Sequence, residues 1–551
     1  MPFSAEPIAV LPLVASFCWP WLLVRAAVGA SRRRTVAITL FVSFLVPWAF
    51  LLGWIREVSV AGWPALVAYS AVYMPVFALV VRAIMHSPRL QRVPLALVAA
   101  VVWTALEYLR AEIILDAWPF YLAAHGVYPS WLIHWAGYAG VWLVSFLIVL
   151  TSVGLWQSCL QRGTWKRNMG LIVLGFTLPI LPGRLLLGRA DTRRSTPVRM
   201  LCVQTNLSQS NKIGWPVERQ EADVRSFLDQ TRTAFQEAGA VDLVLWPETM
   251  VPGLGFDPGT LSFLDSLGPG AAHMTRWQRV LQQVAAQSGV PWLVGSPTWL
   301  DVTLSDDGYM ASSQRFNSAV LLEPGGGVQR YDKVFLTPFG ETMPWIRAWP
   351  WLEQRLMAVG ASGLQFDLQA GKAPVAITIE THQGLQDSRN TVDTPGRTLR
   401  LVTPICFEDA VPSVVRALVR DTNADIIVNL SNDGWFGTDD AGRRAHEIAA
   451  AFRAVELQRP LIRVANTGLT ASINRDGSVV QRLIARTAGT LLVEPDSSRG
   501  LATGYARFGN WFPQLLLFLT VVGVLMRYVD RRRVVNPRTE CSTEGPTCDV
   551  N

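Results

Sequence analysis

The stretch TPICFEDA, residues 403–410, sets Cys406 between an apolar, strand-like run and an acidic turn. A thiol placed there is either small buried filler or a nucleophile, and its neighbours do not decide which. Two other strand-like segments end on groups that could serve it. LVLWPET closes on Glu248, and VQRYDKVFLTPFGE presents Lys333 and then Glu341. A thiolate attacks an ester carbonyl well, yet an ordinary cysteine, with a pKa of about 8.5, is mostly thiol at neutral pH. A carboxylate that takes its proton and an ammonium that holds the resulting negative charge are the groups it needs.

The remaining cysteines argue against other chemistry. Cys18, Cys159, Cys202, Cys541 and Cys548 form no CxxC pair and no His–Cys spacing, so neither a disulfide framework nor a metal site is expected, and no cofactor motif is present.

These residues need a scaffold that brings strand ends together. From about 190 to 510 the chain alternates short branched apolar runs with amphipathic, charged stretches. Strands are expected at 198–204, 242–247, 291–296, 316–323, 327–334, 399–405, 425–430 and 461–465, with helices at 217–238, 275–288, 409–420 and 441–458. Such alternation predicts an α/β domain, in which loops at strand ends aim side chains into one crevice. The polar segment 381–397 reads as an exposed loop.

Composition places that domain on a membrane. Half of the residues are hydrophobic, 22 are Trp, and the mean hydropathy is +0.26. Apolar windows at 8–28, 36–55, 63–84, 94–109, 136–157, 169–188 and 511–529 approach the roughly 20 residues that span hydrocarbon. The net charge of +7 does not indicate nucleic acid, because the cations cluster in short loops: Arg32–Arg34, Arg82 with Arg89 and Arg92, Arg162 with Lys166 and Arg167, and Arg531–Arg533. With all four clusters in the cytoplasm the spans alternate correctly and the large domain lies outside. The expected organisation is a transmembrane bundle of about six spans over 1–190, a catalytic domain over 191–505, a closing span over 506–530 and a polar cytoplasmic tail over 531–551.

The order Glu248, Lys333, Cys406, with Glu341 shortly after the lysine, resembles the nitrilase (carbon-nitrogen hydrolase) superfamily. WPE, YDKVFLTPFGE, CFE, SNDGWFG and RAHEIAAAFRAVELQRPLIRVANTG are similar to its apolipoprotein N-acyltransferase family, as are EYLR, WPF, AGYAGVWLVSFL and YARFGNWF outside the domain. The resemblance implies an αββα nitrilase-like domain beside a helical bundle. It implies a phospholipid acyl donor, a thioester on Cys406, and transfer to the α-amino group of a diacylated apolipoprotein. It also implies Glu248 as base, Lys333 and the Phe407 N–H as oxyanion donors, and Glu341 and Glu408 as supporting carboxylates.

Trp215 and Trp435 resemble family positions near the pocket, while Phe339 and Trp345 are aromatics of the type found at membrane interfaces, so that the stretch 335–356 would form an arm over the site that admits lipid; all four are expected to contact substrate. The family setting is the bacterial inner membrane, with the domain on the periplasmic side and the protein acting as a monomer. Two departures stand out: seven apolar windows where eight spans are usual, and Phe407 where a Tyr is usual. The alternative reading is a membrane-anchored amidase of the same superfamily that uses water as the second nucleophile.

Overall fold

The computed structural model describes residues 10–29, 32–178, 198–208, 215–306, 308–342, 351, 368–381, 398–497 and 502–535. Trp345 and almost all of the 381–397 loop lie outside them, as do Cys541 and Cys548.

The apolar windows become helices Val10–Val28, Arg33–Leu51, Gly62–Met85, Leu95–Tyr108, Val141–Leu160, Trp165–Thr177 and Trp511–Val535. Four of the described helices are long and apolar enough to cross a membrane: Arg33–Leu51, Gly62–Met85, Val141–Leu160 and the Trp511–Arg532 part of the last. Small residues bring their axes close, as such helices need when solvent gives no hydrophobic drive between them. Ala71, Ala78, Ala99 and Ala100 are buried, and a Cβ on Gly154 would lie 3.2 Å from Ile172. Ile38, Val46, Phe50 and Phe518 point outward and are exposed, the surface that lipid tails would cover.

Helix Leu95–Tyr108 does not run on into the next span. It widens into a π turn, Leu109–Ile113, and the chain doubles back through Leu115, Asp116 and Ala117, all at positive φ. Buried Arg110 secures this return by donating to the carbonyls of Phe120 at 3.0 Å and Tyr121 at 3.2 Å, and buried Glu107 accepts from Ala123 N at 2.6 Å. Both charged groups of the EYLR motif thus serve the segment that faces the α/β domain.

The described residues of the second half hold twelve strands: β1 (Met200–Gln204), β2 (Leu243–Leu245), β3 (Trp292–Leu304), β4 (Met310–Leu322), β5 (Val328–Asp332), β6 (Ile377–Glu380), β7 (Thr398–Val402), β8 (Ile426–Ser431), β9 (Leu461–Ala465), β10 (Ala471–Ile473), β11 (Val479–Arg482) and β12 (Gly489–Val493). They form two six-stranded sheets, β12-β1-β2-β3-β4-β5 and β11-β10-β9-β8-β7-β6. In each sheet a parallel trio, β1-β2-β3 or β7-β8-β9, is flanked by antiparallel strands. Parallel neighbours require crossovers. Helices Val217–Ala238 and Ala272–Ser288 supply them in one sheet, and Pro412–Thr422 and Ala441–Leu457 in the other.

The two sheets share one apolar core, with Met200, Cys202, Leu243 and Leu293 meeting Leu399, Leu401, Ile426 and Val428. Helix Ala441–Leu457 is buried along almost its whole length, since its alanines admit both the second sheet beneath and Val141, Trp142 and Tyr505 of the membrane part above. The layers are therefore helix, sheet, sheet, helix, and the bundle caps the last of them.

The expected elements are present with shifted ends, and one differs in extent. β3 and β4 pair from Trp292↔Leu322 out to Leu304↔Met310, beyond the expected 291–296 and 316–323. The added residues mix polar and apolar types, and Val302, Trp299 and Met310 pack with Leu254 and Leu264 in a small separate cluster, so antiparallel pairing and this local packing sustain them where no continuous apolar run marks a strand.

Candidate active site

Glu248 lies directly after β2. Gly295 of the neighbouring β3 makes room for it, because a Cβ there would lie 2.4 Å from Pro247 O and 2.5 Å from Glu248 Cα. Both carboxylate oxygens are engaged. Oε1 accepts from Asn317 Nδ2 at 2.7 Å and Oε2 from Asn432 N at 2.7 Å. Only 6% of the residue is exposed, and each oxygen faces a donor.

Lys333 follows β5 and is 1% exposed. Its Nζ donates to Glu341 Oε2 at 2.6 Å and to Thr337 Oγ1 at 3.0 Å. Burial pulls the ammonium pKa down, but Glu341, with Cys406, Glu248 and Glu408 behind it, outweighs burial and leaves the pKa raised. For Glu341, burial pushes up, while Lys333 and the hydrogen bonds from Thr337 N and Asn317 Nδ2 bring the pKa below the usual glutamate value. The pair is thus charged on both sides.

Cys406 begins a short 3-10 turn, Cys406–Ala410, after β7, with φ at +51°. A non-glycine residue holds that conformation only where its surroundings compel it. Here Asn429 Nδ2 donates to Pro404 O at 3.0 Å and to Cys406 O at 3.2 Å. Glu408 adds a second restraint. Its Oε2 accepts from Ile405 N at 2.7 Å, its Oε1 from Val334 N at 2.8 Å and Phe335 N at 2.9 Å, and Tyr331 Oη donates to both oxygens at 3.0 Å. One carboxylate therefore ties the lysine-bearing segment to the cysteine-bearing turn. Burial pushes its pKa up to about 7 against the pull of Lys333 and these donors.

The Cys406 thiol is partly buried, and burial and the Glu248 carboxylate raise its pKa while Lys333 lowers it. A carboxylate and an ammonium thus pull the same thiol in opposite directions. Of the other cysteines with described side chains, Cys202 is core filler in β1, its pKa raised by burial alone, and Cys159 is exposed on the bundle.

Behind the turn lies a polar knot that sequence reading missed. Arg463 of β9, fully buried, donates to Asp409 Oδ2 at 2.9 Å, to both oxygens of Asp433 at 2.9 and 2.8 Å, and to Asn429 Oδ1 at 3.2 Å. His446 Nδ1 sits 2.9 Å from the same guanidinium, which makes it a partner of the knot rather than a base at the sulfur. Asn317 was missed as well. Arg463 had a signal in the sequence, a lone charged residue inside the apolar strand LIRVA, whereas Asn317, followed by Ser318 in FNSAVLL, had only its place at the polar edge of an apolar run.

The expected outer residues are placed as follows. Phe407 is 5% exposed, stacked on Phe335 at 6.3 Å and met edge-on by Phe120 of the bundle's return segment at 5.8 Å. This apolar setting accounts for a ring without a hydroxyl. Phe339 is 45% exposed, at φ +59° beside the lysine segment, and Trp351 is exposed too. Trp215 donates to Asp223 Oδ2 at 2.8 Å and packs on the outer-helix side of the first sheet. Trp435 packs against the bundle. No group of three or more His, Cys, Asp or Glu poised for a metal occurs among the described residues.

Residues 204–504 match the carbon-nitrogen hydrolase family, and residues 1–154 match the apolipoprotein N-acyltransferase N-terminal domain. An apolipoprotein N-acyltransferase of Geobacter metallireducens is 29% identical over 491 residues, 85% of this chain and 82% of that protein. One from Azotobacter vinelandii is 29% identical over 450 residues, 81% and 76% of the two chains. Among solved structures, an N-terminal amidase aligns over 48% of this chain and 56% of its own at 15% identity, with a TM-score of 0.27.

Proposed function

The chain belongs to the carbon-nitrogen hydrolase family and carries the N-terminal domain of the apolipoprotein N-acyltransferases, and from that premise we propose that Glu248, Lys333 and Cys406 perform its acyl transfer. The protein is an acyltransferase that acylates the N-terminus of lipoproteins, the activity for which its relatives are named. The observation that carries the residue assignment is the hydrogen-bonded chain from Glu248 through Asn317 and Glu341 to Lys333, with the Glu408 carboxylate lacing the lysine segment to the Cys406 turn.

In the first half-reaction Glu248 takes the Cys406 proton and the thiolate attacks the acyl carbonyl of a phospholipid ester. Lys333 has three N–H bonds, two of them spent on Glu341 and Thr337. The third and the Phe407 N–H stabilise the oxyanion, a donor of this kind being worth about 3 kcal/mol in the transition state. The C–O bond breaks, Glu248 returns its proton to the departing alkoxide, and a lysophospholipid leaves the thioester behind. In the second half the α-amine of diacylglyceryl-cysteine attacks that thioester, Glu248 accepts the amine proton, the C–S bond breaks, and the departing Cys406 thiolate recovers the proton from Glu248.

Both substrates are bilayer lipids, and each buried CH₂ holds them there by about 0.8 kcal/mol. A thiol mounted on a bundle meets them without extraction. The exposed Phe339 and Trp351 support a lipid-facing arm. The domain is assigned to the periplasmic side of the inner membrane. Supporting this, Arg89 lies 3.3 Å from Asp530 and Arg527 donates to His86 O, which places the basic 82–92 loop and the basic end of the last helix at one end of the bundle. Boundaries at 190, 505 and 530 and action as a monomer complete the reading.

Intact-mass measurement of the protein given phospholipid alone tests it. Wild type accumulates a hydroxylamine-labile acyl adduct that a diacylated lipopeptide discharges, and Cys406→Ser forms none. Near-normal N-acylation by Cys406→Ser removes the nucleophile assignment. Discharge of the adduct to water as fast as to lipopeptide turns the reading to an amidase.

A further inference from the structure

We propose that Asn317 is a positioning residue of the acid–base machinery: its side-chain amide, shared between Glu248 and Glu341, keeps the two carboxylates from sharing a proton and so reserves Glu248 for Cys406. This rests on the reading of Glu248 as the base.

The geometry leaves the amide one orientation. Nδ2 lies 2.7 Å from Glu248 Oε1 and 3.1 Å from Glu341 Oε1, and both neighbours are acceptors, so the NH₂ group faces them. Oδ1 has no hydrogen-bond partner among the described residues, although Asn317 is only 4% exposed. An asparagine left half-satisfied in a buried site is costly, which implies a role for the half that is satisfied. The backbone of the same residue is engaged too, its carbonyl accepting from Lys333 N at 2.9 Å. Asn317 therefore touches the base directly, the lysine through its main chain, and the lysine's counter-ion through its side chain.

Two carboxylates this close would, without a donor between them, bind one proton jointly, as paired acids do. A proton held so would occupy the base before the thiol could give up its own. The remaining charged groups cannot replace the amide. Lys333 is bound to the far oxygen of Glu341, Asp433 is taken by Arg463, Glu408 faces the lysine from the cysteine turn, and the Cys406 sulfur is the proton donor itself. Asn432 supplies only a backbone N–H, on the opposite Glu248 oxygen.

The test follows adduct formation from phospholipid alone across about pH 5.5 to 9 in wild type, Asn317→Ala and Asn317→Asp. Asn317→Ala should form adduct more slowly near neutrality, by about 10- to 100-fold, and the pH below which the rate is lost should move up by about one unit, so that part of the activity returns in alkali. Asn317→Asp, of the same size but without the NH₂ group, should be slower still. A slowed Asn317→Ala whose pH profile overlays wild type would make the residue merely structural and overturn the proposal, as would a wild-type rate. The pH dependence of Cys406 alkylation by iodoacetamide in the same proteins needs no acyl substrate. A shift there with no acyl adduct in wild type would retain Asn317 and remove the acyltransfer reading instead.

Discussion

Phe120 of the membrane part meets Phe407, the residue after Cys406, edge to face at 5.8 Å and 69°. The bundle thereby touches the Cys406 turn itself. Phe120 is held by the Arg110 clamp on its carbonyl and is 2% exposed. Phe120→Ala would open a cavity costing about 3 to 5 kcal/mol locally. The expected outcome is a protein that still inserts but forms the acyl adduct at least about tenfold more slowly. An unchanged adduct rate by mass spectrometry would mean that the bundle anchors the turn without positioning it.

Glu408 gives the pH dependence its sign. Every described partner of its carboxylate is a donor, so the ionised form is the one that laces Ile405 to Val334 and Phe335. Burial has raised its pKa from 4.5 to about 7, so acidification through about 7 protonates it and loosens the lacing. Activity should fall there. Folding stability from this group moves the other way: between about 4.5 and 7 the folded chain holds a proton that the unfolded one does not, so its contribution grows as pH falls. Glu408→Gln should be poorly active at all pH values and lack this acid limb. A wild-type rate that stays flat down to about pH 5.5 would contradict the assignment.

Lys333 and Glu341 stand or fall together. Taking the carboxylate away leaves an ammonium 1% exposed with its strongest partner gone, and breaking a buried pair in this way costs about 3 to 5 kcal/mol. Glu341→Gln should lower adduct formation about 100-fold or more. Lys333→Arg should not restore it, because a planar guanidinium does not fit where one Nζ reaches both Glu341 and Thr337. Substantial transfer by Lys333→Met would remove the lysine from the mechanism.

The two halves of the chain exchange helix caps. Glu112 of the membrane part accepts from the backbone N–H and hydroxyl of Ser413 at the start of helix Pro412–Thr422, and Glu456 of the domain accepts from Val141 N at 2.6 Å at the start of helix Val141–Leu160. Loss of a cap costs about 1 kcal/mol. Glu456→Ala should cost more than Glu112→Ala, since it also strips Arg453, 1% exposed, of its partner at 2.7 Å. Thermal unfolding in detergent should rank them in that order, and the reverse order would refute the cap exchange as the stabilising feature.

The residue types of EYLR, WPE, YDK and CFE, with the alternation of branched runs and amphipathic stretches, were enough to specify a membrane bundle, an α/β domain and the order Glu248, Lys333, Cys406. These are local or compositional properties: hydropathy over about 20 residues selects lipid over water, and side-chain chemistry limits what each group can do. Partners were not legible in the same way. Nothing near Glu408 in the chain marks Val334 and Phe335 as its donors, and nothing near Asn317 marks Glu248. Those pairings span 74, 73 and 69 positions and exist only because the sheets bring distant segments together, Glu408 reaching from the second sheet to the first and Asn317 of β4 reaching the end of β2. The cap exchange and the Arg463 knot have the same origin. A hydrogen bond needs its atoms within about 3 Å, and only the packed sheets and bundle determine which atoms come that close.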